Sequence, residues 1–246
     1  MTPARRVLAV LSCISLSALV GCSTLPHDTD PQVIGTFEPH ERVEDAVVEP
    51  RTDSDPDLLI RDFYSAAAIP TSNYAAARTF LASDIADTWD PTSTVLVVDS
   101  IDLVTSKMDD GVLEYSVRGN IIGRLADGGA YVPDNSRIEA TVRLSQFDGQ
   151  WRITDLPTGA VIERTELRNR YRPQSLYFYD VTQRVLVADR RWLYTGKDSI
   201  AAELVTLLLQ GASSDISPAI STLVPKDATF LGINDGVYAV SYTHLR

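Results

Sequence analysis

The apolar residues of this chain change their spacing at Pro91, and that change restricts the fold more than any other feature of the sequence. Before it they recur at helical intervals. Asp55-Pro56 reads as an N-cap followed by proline at the first helical position, and Leu59, Phe63, Ala66 and Ala67 then fall at i, i+4, i+7 and i+8. Pro70 ends this helix, Ser72 or Asn73 can cap a second, and Tyr74, Ala77, Leu81 and Ile85 line one face of it until Trp89. Beyond Pro91 the period becomes two: Ile101 and Leu103; Leu113, Tyr115 and Val117; Ile138, Ala140, Val142 and Leu144; Trp151 and Ile153. Asp109-Asp110-Gly111 and Asp148-Gly149 stand where tight hairpins need residues that accept positive φ. Helices first and an antiparallel meander afterwards predict an α+β layer, with helices on one face of a curved sheet.

A second segment repeats the mixture on a smaller scale. Ser175 to Asp180 reads as a short aromatic strand belonging to a sheet core, with a turn near Thr182-Gln183 and a second strand from Arg184 to Ala188. Asp198 can cap a helix carrying Ile200, Leu204, Leu207 and Leu208, which Gly211 terminates. Ser217-Pro218 opens a shorter helix that Pro225 stops, and Phe230, Leu231 and Ile233, a turn at Asn234-Asp235-Gly236, and Val237 to Val240 form a hairpin.

The N-terminus has a different character. Arg5 and Arg6 precede an apolar run from Val7 to Val20 of about 14 residues, too short to cross a hydrocarbon core as a stable helix and typical of an exported precursor. The run ends in Leu19, Val20, Gly21 and Cys22. This resembles the lipobox of bacterial lipoproteins, which implies diacylglycerol on the Cys22 thiol, cleavage before it and acylation of the new amine. An ordinary secretory signal or an uncleaved anchor is the plainer alternative. Two or three acyl chains make attachment durable where one holds only marginally.

Cys13 leaves with the signal and Cys22 is expected to carry lipid, so the mature chain has no pair for an internal disulfide. The formal net charge of −11 becomes −13 when the two signal arginines go. So acidic a protein is expected to bind no nucleic acid and to stand off anionic lipid. From Cys22 to Asp55 the sequence is acidic and interrupted by Pro26, Pro31, Pro39 and Pro50, which cannot sustain a core. Such a tether has a root-mean-square span of about 30 Å. Val33, Ile34 and Phe37 form its one apolar cluster, either docked on the folded part or exposed.

Chemistry-bearing candidates are few. His27 and His40 lie in the tether and His244 at the end, so no imidazole is expected in a folded core, which removes most Ser-His-acid, Cys-His and zinc-histidine schemes. No phosphate loop, dinucleotide fingerprint or nucleophile elbow occurs. Asp84, Asp87 and Asp90 sit at i, i+3 and i+6. Paired acids can hydrolyse glycosides or hold Ca²⁺, but a solvated helix face is the expected reading. The basic run containing Arg164, Arg168, Arg170 and Arg172 could grip an anionic ligand. It is expected instead to be a solvated connector whose arginines pair with acids on either side. The chain is therefore expected to be no enzyme, with no catalytic residue, cofactor or metal.

The stretch from Asp57 to Asp155 resembles the NTF2-like fold in its order of elements, closing on Phe147-Asp148-Gly149-Gln150-Trp151-Arg152-Ile153. Some members of that fold enclose a cone-shaped pocket, and others are plain interaction modules. More specifically, Tyr171-Arg172-Pro173-Gln174-Ser175-Leu176-Tyr177-Phe178-Tyr179-Asp180, then Leu186-Val187-Ala188-Asp189-Arg190-Arg191-Trp192 and Leu207-Leu208-Leu209-Gln210-Gly211, resemble the GerMN domain of the actinobacterial lipoprotein LpqB family. In that family a lipobox, acidic tether and NTF2-like domain occur upstream in the same order.

The resemblance divides the chain into a signal peptide (1–21), a tether (22–55), an NTF2-like domain (56–165), a basic connector (166–174) and a GerMN-like domain (175–246). Members continue into a β-propeller, and their GerMN domain runs on past the strand Gly236-Val237-Tyr238-Ala239-Val240. This chain stops at Arg246, so its last domain is expected to be truncated, with 241–246 fitting no pattern. The resemblance implies a lipoprotein on the outer face of the cell membrane that modulates the extracytoplasmic region of the Mtr two-component sensor histidine kinase, and with it envelope homeostasis. A lipoprotein that binds cell-wall or lipid fragments is the alternative. The sequence does not fix an oligomeric state.

Overall fold

The computed structural model describes residues 50–51, 54–109, 111–234 and 237–241. Cys22 and the lipobox residues Leu19, Val20 and Gly21 lie outside the described residues, as do the cluster at Val33, Ile34 and Phe37 and the tail from 242.

Helix α1 spans Pro56–Ala66, and the Asp55 carboxylate accepts the Asp57 amide at 2.9 Å, the cap its sequence requires. Leu59, Ile60 and Phe63 are buried on its inner face. The single second helix expected from Tyr74 to Ile85 is in fact two short ones, α2 (Thr71–Arg78) and α3 (Ser83–Thr88). Ser72 and Asn73 do not cap α2; together with Tyr74 they adopt left-handed backbone, with φ of 51°, 56° and 59°. Between the two helices the chain pairs with the sheet: Ala82 N donates to Ile153 O at 2.8 Å, and Ile153 N donates to Phe80 O at 3.0 Å. Those bonds and the complete burial of Phe80 replace the helical turn that periodicity alone would favour.

The strands follow as β1 (Val95–Val98), β2 (Asp102–Asp109), β3 (Val112–Ala126), β4 (Ala130–Pro133), β5 (Arg137–Phe147), β6 (Gln150–Asp155) and β7 (Ala160–Glu163). Strand β3 is the spine. Its first half lies between β2 and β5, and its second half between β1 and β4. Asp148 and Gly149 take φ of 50° and 80° at the β5–β6 turn, as that hairpin requires. Strands β1 and β7 pair in parallel. Neither was legible as a half-buried strand, because Val95-Leu96-Val97-Val98 is an unbroken apolar run and does not alternate.

The main core joins Leu59, Ile60, Phe63 and Phe80 to Val117, Val142, Leu144 and Ile153. Burying side chains of this size stabilises by about 1.5–3 kcal/mol each. The space left beside Phe63, Trp89, Leu96 and Leu156 is about 40 Å³. That is room for about one water, so the hollow some NTF2-like members use for ligands is filled here by side chains.

The basic run is packed structure and not a solvated connector. Helix α4 spans Arg164–Arg170 and leads without a break into β8 (Tyr171–Asp180). Leu167 and Tyr171 enter the main core, and the Tyr171 hydroxyl donates to Ala68 O at 3.1 Å. The apolar positions within the charged run decide its place. Strand β8 pairs along its length with β9 (Leu186–Tyr194), and α5 (Ile200–Gln210) follows. The cap of α5 is Ser199, whose hydroxyl accepts the Ala202 amide at 3.1 Å, one residue later than the expected Asp198.

Ser217-Pro218 opens only one 3-10 turn, and the chain then forms β10 (Ile220–Ser221) against β8. Strands β11 (Thr229–Asn234) and β12 (Val237–Ser241) make a separate hairpin. Sheet order β10-β8-β9-β4-β3-β1-β7 carries one sheet through both parts of the chain, and the molecule is α+β.

Candidate functional site

The two parts meet where β9 reaches β4, and the ladder there is a single position, Ala130 opposite Arg191. Side chains complete what the backbone does not. Asp189 and Arg191 are each about 4 % exposed and form a two-bond ion pair, Nη2 and Nε of Arg191 to Oδ2 of Asp189 at 2.7 and 3.0 Å. The second guanidinium nitrogen, Nη1, donates to the carbonyls of Asp127 and Gly128 at 3.2 and 3.3 Å, in the turn between β3 and β4. The Asp189 carboxylate also accepts the Ser213 amide at 2.8 Å and the Ser213 hydroxyl at 3.1 Å. Burial pushes the Asp189 pKa up, but the bonds from Arg191 and Ser213 outweigh it and hold the carboxylate below its usual range.

One residue pair therefore ties β9 to the first part of the chain and to the loop after α5. Gly129 makes the close approach possible: its φ is 76°, and a Cβ there would lie 2.2 Å from the Trp192 carbonyl oxygen.

Alternation along β9 divides this junction into two faces. Asp189, Arg191 and Leu193 turn toward α5, where Leu176, Phe178, Leu193 and Leu207 form a second, small apolar core. On that side a cleft of about 490 Å³ is lined by Thr92, Ser93, Arg124, Arg191, Gly211 and Ser213 among others. Trp192 and Tyr194 turn the other way and pack with Tyr171 on the main core, the Tyr171 and Tyr194 rings meeting edge to face at 5.4 Å. The aromatic row of β8 is divided in the same way. Phe178 is buried, while Tyr177 and Tyr179 are exposed, so the row is only half core.

The acids singled out in the sequence do not converge on a ligand. Asp84, Asp87 and Asp90 are all exposed, and among the described residues no group of three metal-ligating side chains occurs. Asp90 caps a turn, accepting from the Thr92 hydroxyl at 2.8 Å and amide at 2.9 Å, which hold its pKa below the usual value. In the basic run Arg164 pairs with Asp99 at 3.0 Å, Arg170 with Glu166 at 2.6 Å, and Arg172 donates to the Arg168 carbonyl at 2.6 Å. These arginines hold the chain's own groups.

The buried pair at Asp189 and Arg191 was missed as a site. Its only signal in the sequence was two charged residues on alternate positions of a strand whose other inward positions are apolar. No described helix is long and apolar enough to cross a membrane.

Comparison with known proteins follows the same two parts. Residues 49–168 match the family described as "Lipoprotein LpqB, N-terminal domain", and residues 175–241 match the Germane family, described as "Sporulation and spore germination". Among curated proteins, "Lipoprotein LpqB" of Corynebacterium jeikeium (strain K411) is 41% identical over 223 residues, covering 90% of this chain and 38% of that protein. The protein of the same name from Corynebacterium diphtheriae is 37% identical over 240 residues, covering 95% and 41%. That of Rhodococcus opacus (strain B4) is 35% identical over 227 residues, covering 89% and 38%. The chain thus spans about two fifths of the length of these relatives.

Proposed function

The chain belongs to the LpqB lipoprotein family, and from that premise we propose that it is a membrane-anchored, non-enzymatic lipoprotein of the extracytoplasmic face that works through protein contacts. The observation that carries this reading is Cys22 directly after Leu19-Val20-Gly21, at the end of a short apolar run with a charged start, in a chain whose relatives are named lipoproteins. Thioether-linked diacylglycerol and an acylated amine at Cys22 supply more than one chain for anchoring. The acidic segment up to Asp55 then holds the folded part near the bilayer without adhering to it.

The partner proposed is the outer region of the Mtr sensor histidine kinase, with envelope homeostasis as the outcome. Two proteins anchored in one membrane meet at an effective concentration in the millimolar range, so the contact needs little intrinsic affinity. Crosslinking in intact cells followed by recovery of the lipidated protein tests this. The wild type is expected to carry acyl mass at residue 22 and to bring down the kinase, and Cys22→Ala to lose both. Acyl mass without the kinase would sink the partner, and wild type without acyl mass would sink the anchor.

A further inference from the structure

Beside the junction, on the face of β9 that carries Trp192 and Tyr194, a pocket of about 250 Å³ opens between Tyr74, Trp192, Tyr194, Lys197 and Glu203. Its polar groups are incompletely used. Tyr194 is 2 % exposed and its hydroxyl has no hydrogen-bond partner among the described residues. Glu203 places Oε1 on the Lys197 ammonium, while Oε2 is shielded from solvent and has no partner there either. Buried polar atoms without partners are rare in native proteins, and two lining one pocket mark groups held ready for something that is not part of the chain. Tyr74 is presented to the same pocket by the left-handed stretch Ser72–Tyr74, and backbone of this kind gathers at ligand sites.

We infer that this pocket binds one neutral, hydroxyl-bearing sugar ring. The Glu203 charge is already balanced by Lys197, so the site selects against a further full charge of either sign. The free carboxylate oxygen accepts from a hydroxyl or amide, and the free tyrosine hydroxyl can donate or accept. The aromatic walls require an apolar face. A pyranose offers both: hydroxyls around its rim and C–H groups across its face. The volume lies just below the usual range for drug-sized ligands and admits a single ring, with any continuing chain leaving through the mouth beside Lys197. The inference does not rest on the kinase contact or on the lipid anchor.

The test is saturation-transfer NMR on the full lipidated protein in lipid nanodiscs, titrated separately with glucose, N-acetylglucosamine and, as a cationic control, ethanolamine. Saturable binding of at least one sugar is expected, with transfer strongest to its axial ring protons and none to ethanolamine. Tyr194→Phe, which keeps the ring, is expected to weaken binding by about 2- to 10-fold, and Glu203→Gln by about 10-fold or more, with the melting temperature held in both. Three results would overturn the site: no saturation by either sugar, which leaves a pocket holding only water; sugar binding unchanged in both variants; or saturable ethanolamine binding that displaces the sugar. A soluble, unlipidated product would defeat the anchor proposal and leave this titration to be run in plain buffer with the same expectations.

Discussion

From Pro56 to Glu163 the structure is held by apolar packing, and from Tyr171 to Ser241 by much less of it. The first part closes a deep core between two layers, in which Ile60, Phe80, Val97, Val142, Leu144 and Ile153 lose all contact with water. The second has four fully buried apolar side chains and leaves Tyr177, Val185, Leu186, Leu231 and Val237 more than half exposed. What the second lacks in core it replaces at one point with a buried ion pair and a shared sheet. Small layers cannot bury enough surface to order themselves, so their order is drawn from a neighbour. The difference teaches that the junction, and not the interior of the second part, fixes where β8, β9 and α5 sit.

Removing Arg191 attacks that conclusion most directly. Arg191→Met leaves the Asp189 carboxylate buried and without its cation, and should cost about 3–5 kcal/mol, read by urea unfolding followed by circular dichroism. The double change Asp189→Leu with Arg191→Met should recover much of the loss. A cost under about 1 kcal/mol for the single change would mean that the second part stands on its own packing.

Leu207→Ala sharpens the contrast. It should cost about 2–4 kcal/mol, with loss of hydrogen-exchange protection confined to β8, β9 and α5 while β3 and β5 keep theirs. Uniform loss across both parts would show one cooperative unit with no weaker half.

The smallest effect concerns the tip of the β8–β9 hairpin. The Asp180 carboxylate accepts from the Thr182 hydroxyl and from the Arg184 and Val185 amides, which lower its pKa from the ordinary 3.8 to about 2. A depressed carboxylate contributes fully above its ordinary value and loses that contribution as pH falls through the folded one. Asp180→Ala should therefore lower the melting temperature slightly near neutral pH, with the gap to wild type closing as the pH falls from about 4 toward 2. A gap that persists at the acid end would assign the effect to backbone geometry.

The sequence made the helices, hairpins and alternating strands of the first part legible because each carried its own period and its own turn residues, as at Asp148-Gly149. It hid β1 and β7, whose burial on both faces removes alternation, and the break between α2 and α3, where bonds to Ile153 override local preference. The basic run misled for a related reason: Leu167 and Tyr171 are two apolar positions in a charged stretch, and only the neighbouring main core gives them somewhere to go. The pocket and the ion pair were least legible. Asp189, Arg191, Tyr194 and Glu203 are ordinary residues for a strand and a helix, and their meaning comes from Gly129 letting two backbones approach.

Strand β3 carries a consequence for how this chain can change over evolutionary time. Because its two halves serve different neighbours in one continuous register, inserting or deleting a single residue near Gly119 would turn every later side chain to the opposite face, exchanging inside for outside up to β4. Substitutions can accumulate along it freely by comparison. Its length of 15 residues is the quantity that natural variation has least room to alter.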